Sequence, residues 1–175
     1  GSGFQARTQL EAVCKIRPIT RAMVYSPTPK NRRAYAAEMS AHLGIEVSPV
    51  ESPKLAVEGA DILITITSSR TPVFEGAWLR PGMHVTAVGG ANEYARELDD
   101  LTIQRTDALV VDDLAQARIE CGELMMPASG GLILWEQVRE LWQVVAGIVP
   151  GRWSPDDITL FKSLGMALWD IAAAK

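Results

Sequence analysis

A chain of 175 residues is long enough for one domain with a sizeable core, or one domain and a remnant of a second. Hydrophobic residues make up 47% and charged residues 22%, the usage of an ordinary globular protein. A net charge of −4 lacks the basic face of a general nucleic-acid binder, and no apolar run reaches the roughly 20 residues of a membrane span.

Neither nucleic acid nor membrane is therefore expected as a partner, and no signal-like N-terminus is visible. Cys14 and Cys121 form no CxxC pair, and His42 and His84 stand alone, so no metal site is expected. Reduced thiols in a cytoplasmic protein are the default reading.

The chain opens Gly1-Ser2-Gly3-Phe4-Gln5-Ala6. Short Gly/Ser runs also occur as linker remnants. The alternative is a dinucleotide-binding turn: the first glycine bends tightly, the second lets backbone approach a pyrophosphate, and a third small residue lets helix pack on strand. Gly1, Gly3 and Ala6 fill those roles. An amphipathic helix follows over Gln5 to Ile16, with Ala6, Leu10, Val13 and Cys14 on one face, and its first amides could receive phosphate. The strand that should precede Gly1 is missing, so the chain is expected to start inside a fold.

After Pro18, Ala22 to Tyr25 reads as a short buried strand. A helix is predicted from about Lys30 to Leu43, closed by Gly44, then a brief strand over Ile45 to Val47. Ser52-Pro53 reads as the cap and first residue of another helix. Between the first strand and the next helix, an NAD-preferring site would place a carboxylate. None occurs between Glu11 and Glu38; Ser26 and Thr28 stand there, followed by Lys30, Arg32 and Arg33. Hydroxyls and cations suit a 2′-phosphate, so NADP(H) is the preferred cofactor and NAD(H) the possible one. The rival readings are a capped turn and a solvated basic helix face.

"ADILITIT", "MHVTAVGG" and "ALVVDD" are apolar, β-branched runs that suit strands buried on both faces of a parallel sheet. Strands alternating with helices imply right-handed βαβ units. The expected fold is α/β: a Rossmann-type, doubly wound, mostly parallel sheet lacking its first strand, with C-terminal helices. Leu114 to Leu124 and Gly131 to Ile148 are predicted helices, the second carrying a stripe of Leu134, Trp135, Val138, Leu141, Trp142 and Val145. "GRWSPDD" reads as a loop leading into a closing helix over Ile158 to Ala174.

Four motifs in order resemble the ornithine cyclodeaminase/mu-crystallin group of NAD(P)-dependent enzymes: "GSGFQARTQLEAV", "ADILITITSSRTPVF", "RPGMHVTAVGGANEYARELDD" and "ITLFKSLGMALWDIAAAK". The resemblance favours the nucleotide-binding turn over a linker. It implies that Thr65, Ile66 and Thr67 line the path from adenosine to nicotinamide. Val88 and Gly89 would then pass beside the nicotinamide, and Ser163 would reach it from a helix start. The rivals are strand propensity for the threonines and a plain helix cap for Lys162 and Ser163.

Cyclodeaminases of this group carry an aspartate two residues after the glycine matching Gly89, where this chain has Ala91. That departure turns the reading from ornithine cyclodeaminase toward a ketimine reductase or amino-acid dehydrogenase acting on an amino acid or imine. A non-catalytic NADPH-dependent ligand binder is the alternative from another class. Glu120 matches a pocket-facing position, with an exposed helix glutamate as its rival. The resemblance further implies an N-terminal portion, outside these residues, that holds the substrate and forms a homodimer. Residues 1–150 would be the nucleotide-binding domain and 151–175 a loop and helix returning to that portion, leaving Trp135, Trp142 and Trp169 partly exposed. No general acid is identified within the chain.

Overall fold

The structure, a computed structural model, describes residues 1–90 and 92–174. Helix α1 (Phe4–Ile16), strand β1 (Arg21–Val24), helix α2 (Pro29–Leu43) and strand β2 (Glu46–Pro49) form the first cluster. The two strands pair in parallel, from Arg21 opposite Glu46 to Val24 opposite Pro49. Ala6, Val24, Tyr35, Ala36, Met39 and Val47 bury together, and the Tyr35 hydroxyl donates to the Ala6 carbonyl at 2.9 Å. Pro29 opens α2, and Gly44 closes it at φ 67°, the left-handed conformation that a C′ glycine supplies.

Helix α3 (Pro53–Glu58), its Ser52 hydroxyl accepting from the Leu55 amide at 3.3 Å, leads into the larger sheet. That sheet contains β3 (Ile62–Thr65), β4 (His84–Ala87), β5 (Ala108–Val111), β6 (Arg139–Glu140) and β7 (Thr159–Lys162), all parallel, in the order β3-β4-β7-β5-β6. Helices α4 (Asp100–Gln104), α5 (Leu114–Glu120), α6 (Gly122–Ser129), α7 (Leu141–Val145) and α8 (Ala167–Ala173) complete the chain. All four β5 residues are buried, which explains their unbroken apolar run. No strand among the described residues lies between β1 and β3. Both line a cleft of about 1010 Å³, with Leu10 and Val13 of α1 on its wall. This is where a Rossmann sheet carries its first strand.

Three elements differ from their sequence-based expectation. The helix expected from Ile158 is instead β7, the middle strand, with Thr159 opposite both His84 and Ala108. Flanking strands with unsatisfied main-chain groups on each side outweigh the weak local helical pattern. The helix expected over 131–148 breaks into a 3₁₀ turn (Trp135–Gln137), β6 and α7, because Arg139 and Glu140 pair with Val110 and Val111 along the edge of β5. The helix expected over 114–124 is interrupted at Cys121, with ψ 89°, and resumes to Ser129. A Cβ on Gly122 would lie 2.7 Å from the Ala95 carbonyl oxygen, so a loop presses against the second helix where it begins.

Leu160 is 1% exposed at the centre of the sheet. Leu160→Ala is expected to cost about 2–5 kcal/mol in urea unfolding, the loss of a fully buried leucine. A cost below about 1 kcal/mol would mean that β7 is not the central strand.

Candidate functional site

Parallel pairing sets the carboxyl ends of four strands in line: Thr65 faces Ala87, Ala87 faces Lys162, and Lys162 faces Val111. In an open α/β sheet the ligand crevice lies outside such ends, at the point where strand order reverses. Here that point lies between β1 and β3, where the glycine turn sits.

A Cβ on Gly1 would stand 2.6 Å from the Ile66 carbonyl oxygen, so the turn presses against the end of β3 and leaves no room for a side chain. A Cβ on Gly3 would meet nothing within 4 Å. Gly3 is the N-cap of α1 without a side-chain hydrogen bond, leaving the first helical amides free of a capping side chain. A tight turn, an open backbone approach and uncapped amides are what a pyrophosphate requires. The fold brings Ser26 to this turn, its hydroxyl accepting from that of Ser2 at 2.9 Å, while Phe4, Gln5 and Thr28 stay exposed and Ala6 packs inward.

Arg32 is not a free surface cation. Its side chain is 4% exposed, donates to the Ser26 carbonyl at 3.0 Å, pairs with Glu51 and lies over the Tyr25 ring. Its Nε has no partner among the described residues. The exposed cations beside Thr28 are Lys30 and Arg33.

Thr65, Ile66 and Thr67 line the cleft below Gly1, and the buried Thr65 hydroxyl has no partner among the described residues. Val88 and Gly89 follow β4, and a Cβ on Gly89 would lie 2.3 Å from the Thr67 carbonyl oxygen, so these two strand ends touch. Ser163 follows a strand rather than opening a helix: it is buried, its amide bonds the Ala87 carbonyl, and its hydroxyl donates to Asp112 at 3.0 Å. Ala91 lies outside the described residues. Glu120 ends α5, half-buried, and accepts from Gln116 at 2.5 Å.

Beneath these residues lies a set of buried charges that the sequence does not announce. Glu97, Glu123 and Lys162 are each 0% exposed. Glu97 accepts the Thr67 amide at 2.5 Å and the Gly89 amide at 2.9 Å. Glu123 accepts the Glu97 amide at 2.7 Å, and its other oxygen lies 3.3 Å from Lys162 Nζ as an ion pair without hydrogen-bond alignment. The Lys162 ammonium also donates to the Gly89 carbonyl. Burial pushes the Glu123 carboxyl up while Lys162 pulls it back, so the pair is held by mutual compensation. The neighbouring Cys121 thiol is pushed up to about 12 by burial, which leaves no reactive thiolate. Asp112, at the end of β5, gathers the Ser163 hydroxyl and the amides of Leu164 and Gly165 at 3.0, 2.6 and 2.7 Å. The one local sign of Asp112 was a carboxylate placed directly after a four-residue apolar run.

The ornithine cyclodeaminase/mu-crystallin family model matches residues 1–175. The Thermococcus litoralis Δ1-pyrroline-2-carboxylate reductase, solved with NADH and L-proline, is 45% identical with a TM-score of 0.96, covering 99% of this chain and 54% of that one. An archaeal alanine dehydrogenase dimer with bound NAD is 35% identical with a TM-score of 0.90, covering 99% and 53%. The Δ1-pyrroline-2-carboxylate reductase of Bacillus cereus is 35% identical over 176 residues, covering 100% of this chain and 54% of the relative. The chain thus spans about half the length of the curated relatives it matches.

Asp112→Ala would leave three donors without their acceptor. Urea unfolding is expected to show a loss of about 1–3 kcal/mol; an unchanged midpoint would mean that solvent satisfies the 163–165 turn.

Proposed function

The chain belongs to the ornithine cyclodeaminase/mu-crystallin family, and on that premise we propose that it is the nucleotide-binding part of an NAD(P)-dependent oxidoreductase. Its reaction is on the C–N bond of a small amino acid or cyclic imine. The observation that carries the reading is the meeting of the glycine turn, the uncapped start of α1 and the end of β3 at one cleft, with the end of β4 alongside β3.

When bound, the nicotinamide supplies the hydride. The chain's own residues bind and orient: amides at the start of α1 take the pyrophosphate, Thr65 to Thr67 form one wall, and Val88 and Gly89 form the other. Ser163, anchored by Asp112, bounds the crevice beyond β4. Glu97, Glu123 and Lys162 are committed to one another and to backbone, so none is assigned as a general acid. Ala91 has no titratable side chain, which supports imine reduction or amino-acid dehydrogenation over ornithine cyclodeamination.

The cofactor reading is NADP(H) over NAD(H), supported by Ser26 and Thr28 with Lys30 and Arg33 beside them. Arg32 joins them when a 2′-phosphate replaces Glu51 as its counter-ion. The protein is read as cytoplasmic, in keeping with its two free cysteines, and no described helix is long and apolar enough to cross a membrane. It is read as a homodimer, with Trp142, Leu168 and Trp169 exposed here for contact with a substrate-binding, dimer-forming portion. In that reading α8 is the part of residues 151–175 that reaches this portion.

The intact protein, with its substrate-binding portion, is expected to consume NADPH with five- or six-membered cyclic ketimines in steady-state assays. Absence of turnover across such a panel, with NADPH binding retained, would replace the enzyme reading with a ligand-binding one; ammonia release from ornithine would restore cyclodeamination. Isothermal titration is expected to show tighter binding of NADPH than NADH, a gap that Ser26→Ala narrows and Glu51→Gln widens. Equal affinities would overturn the cofactor preference.

A further inference from the structure

At the end of the larger sheet opposite the crevice, the connection into β7 is held by one side chain. The Arg152 guanidinium donates to the carbonyls of Pro155 and Asp157 at 3.0 and 2.7 Å, to the Gly82 carbonyl at 3.0 Å and to the Thr159 hydroxyl at 3.3 Å. It thereby ties residues 152–157 to the starts of β4 and β7. The Thr159 hydroxyl also meets His84, the first residue of β4, which lies between Ile62 of β3 and Thr159 of β7. His84 Nδ1 is 2.7 Å from Thr159 Oγ1, and Nε2 is 3.1 Å from Thr86 Oγ1. The donors present fix where the ring carries its proton. Arginine only donates, so the Thr159 oxygen accepts from Arg152. Among the described residues, the acceptor offered to the Thr159 proton is His84 Nδ1. Nδ1 is therefore bare, and Nε2 carries its hydrogen toward Thr86. Donation runs from Arg152 through Thr159 and His84 to Thr86, and it is complete only while the ring is neutral.

We propose that His84, Thr159 and Arg152 form a proton-released latch on the connection into β7. A second proton, taken up at Nδ1, turns the acceptor of the Thr159 hydroxyl into a donor. The Thr159 oxygen then faces two donors, its own proton has no acceptor, and a cation stands on each side of it. Arg152 is pushed away, and residues 152–157 come free of the sheet. This device does not depend on the oxidoreductase reading.

The surroundings make the ring the titrating member. Burial, and after it the Arg152 charge, lower the His84 pKa from the ordinary 6.5. Ile62, Thr86 and Thr159 bear no charge. Asp61 pairs with Arg80 and offers the His84 amide only its carbonyl, while the Asp107 carboxylate takes the Ile158 amide. The amides of Ser154 and Trp153 hold Asp157 below the usual carboxylate range, so it keeps its charge while the ring titrates. The folded chain prefers the neutral ring. Its stabilisation is therefore complete above pH 6.5 and is lost as pH falls below that value.

Amide hydrogen exchange of the intact protein tests the latch, read at Trp153, Ser154, Asp157 and Ile158, whose amides are bonded in the closed connection. Between pH 7.5 and 5.5, after correction for the intrinsic rate, their opening constant is expected to rise about tenfold, the linkage of one proton over one pH unit below the ordinary histidine value. His84→Gln, which offers an acceptor and a donor but no charge, is expected to remove that rise. An equal rise in both proteins, or none in the wild type, overturns the proposal. If His84→Gln does not fold, the ring of His84 is titrated in the wild type by NMR, assigned through its contacts with Thr86 and Thr159. Ring protonation and loosening of these amides must then share one midpoint below pH 6.5. A ring that titrates at or above that value, or loosening that follows a different midpoint, overturns the proposal equally.

Discussion

The arrangement of the larger sheet depends on the pairing of β7 with two strands at once. Thr159 to Lys162 fill the space between β4 and β5, and without them the main-chain groups on both of those strands would be left unsatisfied inside the protein. The pairing also fixes register: because β7 is aligned residue by residue with both neighbours, the ends of β3, β4, β7 and β5 finish level. A one-residue slip would exchange the two faces of the strand. It would carry Lys162 out of the interior and Ser163 away from Asp112.

Two buried anionic sites then complete what the register begins. Asp112 collects the turn that leaves β7, and Glu97 with Glu123 collects the turns that leave β3 and β4. Burying carboxylates is costly, and here every one is offset by amides, a hydroxyl or the Lys162 ammonium. The result is a rigid floor under loops that would otherwise be the most mobile part of an α/β domain. Close approach follows from the same design, since Gly89 and Gly122 sit where backbone or carboxylate occupies the space a side chain would need.

Much of this organisation was legible in the sequence where chemistry is local. Pro29 and Gly44 bracket α2, Ser52-Pro53 starts α3, and three apolar runs are the strands β3, β4 and β5. The glycine turn was readable from the spacing of Gly1, Gly3 and Ala6. Legibility ended where partners are far apart along the chain. Ile158 to Phe161 has no pattern of its own that distinguishes a strand from a helix start, and its identity comes from the two strands it meets. The Leu and Trp spacing over 134–145 imitates a helical stripe, yet the edge of β5 captures Arg139 and Glu140. Glu97, Glu123 and Lys162 have the composition of a solvated surface; only contacts between distant positions, 26 apart for Glu97 and Glu123 and 73 for Lys162 and Gly89, take them inside. The burial of Arg32, read as a cation for a 2′-phosphate, was equally hidden: it lies over the Tyr25 ring and pairs with Glu51.

The position of β7 has a consequence for how the molecule is made. The middle strand of the sheet follows β3 to β6 in chain order, so during synthesis β3–β4 and β5–β6 emerge as two separate half-sheets with raw inner edges. Nothing on the nascent polypeptide can join them until residues 159–162 have cleared the ribosome. Until then those edges are exposed to mispairing, and shielding by chaperones matters most while residues 159–162 have yet to emerge.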